Sequence, residues 1–287
     1  MRFVKLHGYG NDYLVFKADD LGAAGDLGGF ARRVCDRHFG AGADGIAVVG
    51  RAGGEEGADF NVRIFNPDGS EAAMSGNGTR CAAAALAHDR VWTGTELRLS
   101  TKAGVKVYRL LEADAGRGLY RFAAEIGRPR FESESVPFKT DGPLERVVRH
   151  PLEVAPGETV EITALEMCNP NCCLFVEDFG ATDWRRLGRL IESHPRFPAR
   201  TNVEFVRVAS PDRIELRIWE RGVGETLSSG TGSSAAAVAA CLNGLTGRAV
   251  TVETPGGRLA VEWRDRDDEV VLTGEAEVVY RGEWLRG

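Results

Sequence analysis

Two stretches of this chain repeat the same order of residue types. Residues 66–87 read NPDGSEAAMSGNGTRCAAAALA, and residues 220–240 read ERGVGETLSSGTGSSAAAVAA. In each, a strand-like run ends on a polar residue (Asn66 or Glu220). Nine positions later a serine, Ser75 or Ser229, opens Ser-Gly-x-Gly ahead of an alanine-rich segment. Short Gly/Ala segments match by chance, but here order and spacing recur together, about half a chain length apart. A duplication of this kind gives two similar domains with a cleft between them.

The remaining pattern is rich in strands. Short apolar runs at 62–65, 97–99, 105–108, 119–122, 160–162, 174–176, 203–206, 214–218, 259–263 and 270–272 are punctuated by glycine. Helical patterns fall at 27–38, 79–89, 183–193 and 233–243. The chain reads as α+β rather than as a βαβ alternation. A linker near Gly116–Gly118 and a return crossing near Gly274 divide it into 1–117 with 275–287, and 118–274.

Composition narrows the partners. Of the 287 residues, 43% are apolar and 27% charged, as in an ordinary globular protein, and the net charge of −6 disfavours nucleic acid or an anionic membrane. The N-terminus, MRFVKLHGYGND, has no apolar signal core, and no segment approaches the roughly 18 apolar residues of a membrane span. A cytoplasmic setting with reduced thiols is expected for the six cysteines. Cys168, Cys172 and Cys173 lack the second ligand pair of a zinc site, and the five histidines are dispersed, so no metal is expected.

Ser-Gly-x-Gly before a helix leaves backbone N–H groups exposed at the positive end of the helix dipole, where an anion binds. Two such ends facing one cleft would grip a carboxylate from both sides. The side chains heading them would then stand on opposite faces of the bound carbon. That arrangement suits removal of a proton from one face and its return to the other. The loops lack the Lys-Ser/Thr of a P-loop and the spacing of a dinucleotide site, and no pyridoxal signature is present, so no cofactor is expected.

Several longer motifs then identify a likeness. MRFVKLHGYGNDY (1–13), DRHFGAGADG (36–45), FNPDGSEAAMSGNGTRC (65–81), MCNPNC (167–172), RTNVEF (200–205) and WERGVGETLSSGTG (219–232) resemble the diaminopimelate epimerase family, in order and over nearly the whole chain. The resemblance implies two pseudo-symmetric α+β domains, each a barrel-like curved sheet around a central helix. It also implies cofactor-independent interconversion of LL- and meso-diaminopimelate in lysine biosynthesis. Asn11, Asn66, Asn169 and Asn202 would hydrogen-bond the amino-acid dicarboxylate substrate. Gly76, Asn77, Gly230 and Thr231 would offer backbone donors to the reacting carboxylate, and Glu220 and Arg221 would form a polar pair with Arg221 as a carboxylate clamp. Tyr280 matches a tyrosine of the family's homodimer contact.

The departures lie at the reacting groups. In the family a cysteine precedes each Gly-x-Gly, one acting as thiolate base and the other as thiol acid, whereas here the catalytic positions are Ser75 and Ser229. Asn171 stands where the family places a histidine that tunes those thiols, a role assigned here to Asn171 and Glu220. A serine hydroxyl is far less acidic than a thiol and needs a neighbouring base. Glu220, Asp68 or a water would fill that part. The expected activity is therefore an epimerase working with a serine pair. The alternatives are a related isomerase or dehydratase, or a non-catalytic amino-acid binder. Deliberate replacement of two cysteines is disfavoured, because Asn171 departs as well.

Overall fold

A computed structural model describes residues 1–22, 25–54 and 57–285; residues 286 and 287, which end the expected first domain, lie outside it. The chain forms two compact units, Met1–Ala124 with Thr273–Gly287, and Glu125–Leu272. The first contains β1 (Arg2–Gly8), β2 (Asn11–Lys17), the short α1 (Ala18–Leu21), α2 (Leu27–Cys35), β3 (Gly45–Arg51) and β4 (Phe60–Phe65). After these come β5 (Glu71–Ala72), α3 (Gly76–His88), β6 (Glu96–Thr101), β7 (Gly104–Asp114) and β8 (Leu119–Gly127), on which the chain leaves the unit. The second holds β9 (Val147–Ala155), β10 (Glu158–Glu166), β11 (Pro170–Phe175), α4 (Trp184–Glu192), β12 (Asn202–Ser210) and β13 (Arg213–Glu220). There follow β14 (Gly224–Thr226), α5 (Gly230–Leu242), β15 (Ala249–Thr254), β16 (Gly257–Trp263) and β17 (Val270–Glu283), which returns the chain to the first unit.

The two units share one pairing pattern. In the first, β1 pairs antiparallel with β2, β2 parallel with β3, β3 antiparallel with β4, and β4 parallel with β6. Strands β6, β7 and β8 continue antiparallel, and β17 joins β8 to β1, closing an eight-stranded barrel. In the second, β10 pairs antiparallel with β11, β11 parallel with β12, β12 antiparallel with β13, and β13 parallel with β15. The two-residue β5 and three-residue β14 each fold back on the strand before the alanine-rich helix.

Each unit wraps its sheet around that helix. From Asn77 to Leu86 every residue of α3 is buried, as is nearly all of α5 from Gly230 to Ala240. A helix buried on all sides has no polar face, which is why both read as alanine runs rather than as amphipathic stripes. The small side chains let the strands close around it. Outside the first barrel α2 packs Phe30 edge-on against Phe16 at 5.2 Å, and in the second unit α4 sets Trp184 beside Phe205 at 6.0 Å.

Both helices begin three residues earlier than the sequence pattern predicts, at Gly76 and Gly230 instead of Thr79 and Ser233. The glycines suggest a loop, but Ser75 and Ser229 cap the backbone and make Gly-x-Gly the first helical turn. The Gly116–Gly118 segment expected as a linker is the hairpin turn between β7 and β8. Strands β3 and β9 escape an alternation test for physical reasons. Five consecutive β3 residues, Gly45–Val49, are buried, so both faces are apolar, and β9 carries Pro151.

Candidate active site

The first unit gathers its candidate residues on the β1–β2 hairpin and the start of α3. Tyr9 and Gly10 take φ of 58° and 85°, the values of a type I′ turn. A tyrosine in that conformation is held at its hydroxyl by the Glu275 N–H (2.8 Å) and on its ring by the Arg80 guanidinium (5.4 Å). Buried Arg80 also donates to the Glu275 carbonyl (3.0 Å) and to the Asn77 side chain. Asn77 donates to Asn11 Oδ1 (3.2 Å), and Asn11 donates to Asp44 (3.0 Å). One polar chain thus fixes the mouth of the helix and the hairpin together.

Ser75 caps α3 in extended backbone, φ −133° and ψ 124°. Its Oγ accepts from the Gly78 N–H (3.1 Å) and from the Tyr13 hydroxyl (2.8 Å). With both acceptor positions filled, the serine's own hydrogen is directed elsewhere. Gly76 and Asn77 follow as the first two helical residues, so their N–H groups have no acceptor inside the helix. Asn66 directly follows β4 and donates to Ser70 Oγ (2.9 Å). Asp68 accepts from the Ser70 N–H and hydroxyl, which hold its carboxyl below the usual range. Its expected part as an activating base is therefore corrected: a carboxylate already satisfied within its own turn is a poor proton acceptor.

The second unit repeats the cap with different neighbours. Ser229 is buried, with φ −135° and ψ 128°, and its Oγ accepts from the Gly232 N–H (3.3 Å). Its hydroxyl hydrogen-bonds the Glu220 carboxyl at the end of β13. Burial raises the pKa of Glu220 above the ordinary carboxylate value, and the bond from Ser229 works against that rise.

The predicted asparagines of this unit form a relay. Arg221 N–H donates to Asn202 Oδ1 (2.9 Å), Asn202 to Asn171 Oδ1 (3.3 Å), Asn171 to Asn169 (2.9 Å), and Asn169 to Thr231 Oγ1 (3.4 Å). Fully buried Asn171, expected to tune a pKa, thus holds two asparagines in place. The Arg221 side chain is exposed and donates to the Ala199 carbonyl (2.8 Å). The turn that carries it is pinned by a residue outside the motifs. Glu192 of α4 accepts from Trp219 Nε1 (2.8 Å), from the Gly222 N–H (2.6 Å) and from Arg200.

A second unpredicted carboxyl lies under the Ser229 loop. Glu204 of β12 has no exposed surface. Its Oε2 accepts from Cys173 Sγ at 3.8 Å, and its Oε1 has no hydrogen-bond partner among the described residues. A Cβ on Gly232 would meet that Oε1 at 2.8 Å, so glycine is what lets the helix sit over the carboxyl. Burial foremost, then the nearby Glu220, pushes its pKa well above the ordinary value. Cys172 and Cys173 are also fully buried, and burial pushes both thiols up. Among the described residues no group of three or more His, Cys, Asp or Glu is placed to hold a metal ion, and no helix is long and apolar enough to cross a membrane.

Comparison with known proteins bears on this arrangement. The family model described as diaminopimelate epimerase matches residues 3–124 and 163–279. A diaminopimelate epimerase of Pelotomaculum thermopropionicum is 44% identical over 285 residues, 99% of both chains. That of Desulforudis audaxviator is 43% identical over the full length of both. Among solved structures, a phenazine biosynthesis protein of the PhzF family from Bacillus anthracis superposes with a TM-score of 0.71 at 16% identity, covering 100% of this chain and 99% of its own. A hydroxyproline epimerase from Agrobacterium vitis gives 0.68 at 17% identity, covering 98% and 91%. At such identities these two speak for the fold alone, whereas the sequence relatives match at over 40% identity across nearly the whole of both chains. The chain belongs to the diaminopimelate epimerase family.

Proposed function

We propose that the protein is a cofactor-independent epimerase interconverting LL- and meso-diaminopimelate, with Ser75 and Ser229 as its two proton-transfer groups. The observation that carries the reading is the contact between the Ser229 hydroxyl and the Glu220 carboxyl, which supplies the base that serine lacks. Its raised pKa moves Glu220 toward the working pH, where a general base is most effective. In the forward step the α-carbon C–H bond breaks. Its proton passes to Ser229 Oγ as the serine's own proton passes to Glu220, and the electron pair stays with the substrate's α-carbon and carboxylate. The N–H groups of Gly76, Asn77, Gly230 and Thr231 stabilise that charge, as capped helix ends favour anions. Ser75 then gives its proton to the carbon, completing inversion.

Asn11, Asn66, Asn169 and Asn202 hold the substrate's polar groups in this reading, and the exposed Arg221 takes its distal carboxylate. In D₂O with no added cofactor, LL- and meso-diaminopimelate are expected to gain deuterium at the α-carbon while interconverting, as read by NMR and mass spectrometry. Binding of either isomer without exchange would leave only an amino-acid binder, and exchange with loss of water would identify a dehydratase.

The reading extends to a homodimer in a reducing cytoplasm, which suits six cysteines that are all free thiols. Tyr280 would lie at the subunit contact: the residue is 41% exposed and its ring packs edge-on against Phe3 at 6.0 Å. Sedimentation should give a dimer that Tyr280→Asp weakens; a monomer at micromolar concentration would remove this part of the proposal.

A further inference from the structure

The proton-returning serine has a neighbour that none of the site motifs assigns a role. Tyr13 is 5% exposed, and its hydroxyl donates to Ser75 Oγ at 2.8 Å. Its ring occupies a slot made by two glycines. A Cβ at Gly45 would meet the ring at 2.7 Å and one at Gly78 at 2.9 Å. Neither glycine has the positive φ that would explain it by backbone conformation. Their missing side chains instead let an aromatic ring lie between β3 and the first turn of α3, with its hydroxyl against the capping serine. In the second unit the corresponding serine faces a carboxyl, a proton acceptor, rather than a phenol.

We propose that Tyr13 is the positioning residue that makes Ser75 the acid of the pair, resting on the epimerase reading above. The phenol and the Gly78 N–H fill the acceptor positions of Ser75 Oγ, which leaves the serine hydrogen for the substrate. In the step, the serine O–H bond breaks as the new C–H bond forms. The alkoxide left behind takes the phenol proton: the serine O–H is restored, the charge rests on the Tyr13 oxygen, and a solvent proton resets it. A free phenol titrates near ~10, far below an aliphatic alcohol, so the charge is more stable on the ring than on serine. Glu220 plays the opposite part at Ser229, so the near-symmetric loops differ in sense: one serine is built to lose its proton to a carboxylate, the other to be resupplied by a phenol.

The test is Tyr13→Phe, which keeps the ring in its glycine slot and removes one oxygen. With the stereoisomer whose α-proton faces Ser229, deuterium uptake with retention is expected to stay within about 3-fold of the parent protein, while inversion falls by about 10- to 100-fold. With the other stereoisomer both rates should fall together. A purely structural role would lower exchange and inversion by one common factor for both isomers, and that result overturns the proposal, as does an unchanged inversion rate. The epimerase reading fails separately: there the parent protein itself shows no α-proton exchange.

Discussion

The double variant Ser75→Cys/Ser229→Cys is expected to epimerise diaminopimelate faster than the serine protein by about 10²-fold or more, the range a well-matched acid–base pair contributes. Both side chains sit at the first turn of a buried helix, where exposed N–H groups and the helix dipole favour an anion. A thiol in that place loses its proton readily, because helix N-termini lower cysteine pKa values, whereas a serine depends on its partner. The gain should carry a stability cost. Each serine oxygen accepts from a backbone N–H, Gly78 in one unit and Gly232 in the other, and sulfur accepts weakly. Losing the two caps should lower stability by about 1 kcal/mol each. Steady-state rates in both directions, with thermal melts, check the two effects together. An unchanged rate would show that the limit lies elsewhere in the site, in the asparagine relay or in the carboxylate clamp.

The parts of this protein that were legible in its sequence are those written locally. Ser-Gly-x-Gly ahead of an alanine run carries cap, glycine turn and buried helix within a dozen residues, and its second copy announced the duplication. The two serines, and the amides of Gly76, Asn77, Gly230 and Thr231, therefore stood out. What stayed hidden depends on contacts between distant strands. Tyr13 meets Ser75 across 62 residues of sequence, and nothing in the Asn-Asp-Tyr triplet distinguishes a site tyrosine from a core one. Glu192 reads as an ordinary charged residue near a helix end, yet it pins Trp219 and Gly222. Asn171 was visible as a departure, but its place between Asn169 and Asn202 follows from the parallel pairing of β11 with β12, which sets Asn171 opposite Asn202. Parallel neighbours are joined by long crossovers, so their register is not written in either strand alone.

Glu204 is the residue most at odds with its surroundings, and Glu204→Gln should show it in the pH dependence of stability. On an alternating strand a glutamate reads as solvent-facing, but β12 is buried on both faces from Asn202 to Val206, and the carboxyl is sealed in beside Cys173 and Gly232. Its folded pKa lies well above the unfolded value near 4.5. Between those two values the folded protein keeps a proton that the unfolded chain releases, so stability falls as pH rises, by about 1.4 kcal/mol per pH unit for one such group. Below about 4.5 both states hold the proton and the effect vanishes. A glutamine side chain has the same shape and no proton to lose. The variant should therefore match the parent near pH 4.5 and gain on it with each unit toward alkaline pH, as read by urea unfolding from pH 5 to 8. Glu220, also raised by burial, contributes to both proteins and largely cancels in the difference. Parallel stability curves would mean that Glu204 is already ionised in the folded protein. A neutral Glu204 also suits the chemistry: like charges disfavour joint ionisation, so an uncharged Glu204 lets Glu220 stay ionised and able to take the proton leaving Ser229. The amide preserves that neutrality, so Glu204→Gln should keep turnover within about 3-fold while it stabilises the protein, whereas a catalytic carboxylate would lose about 10²-fold or more.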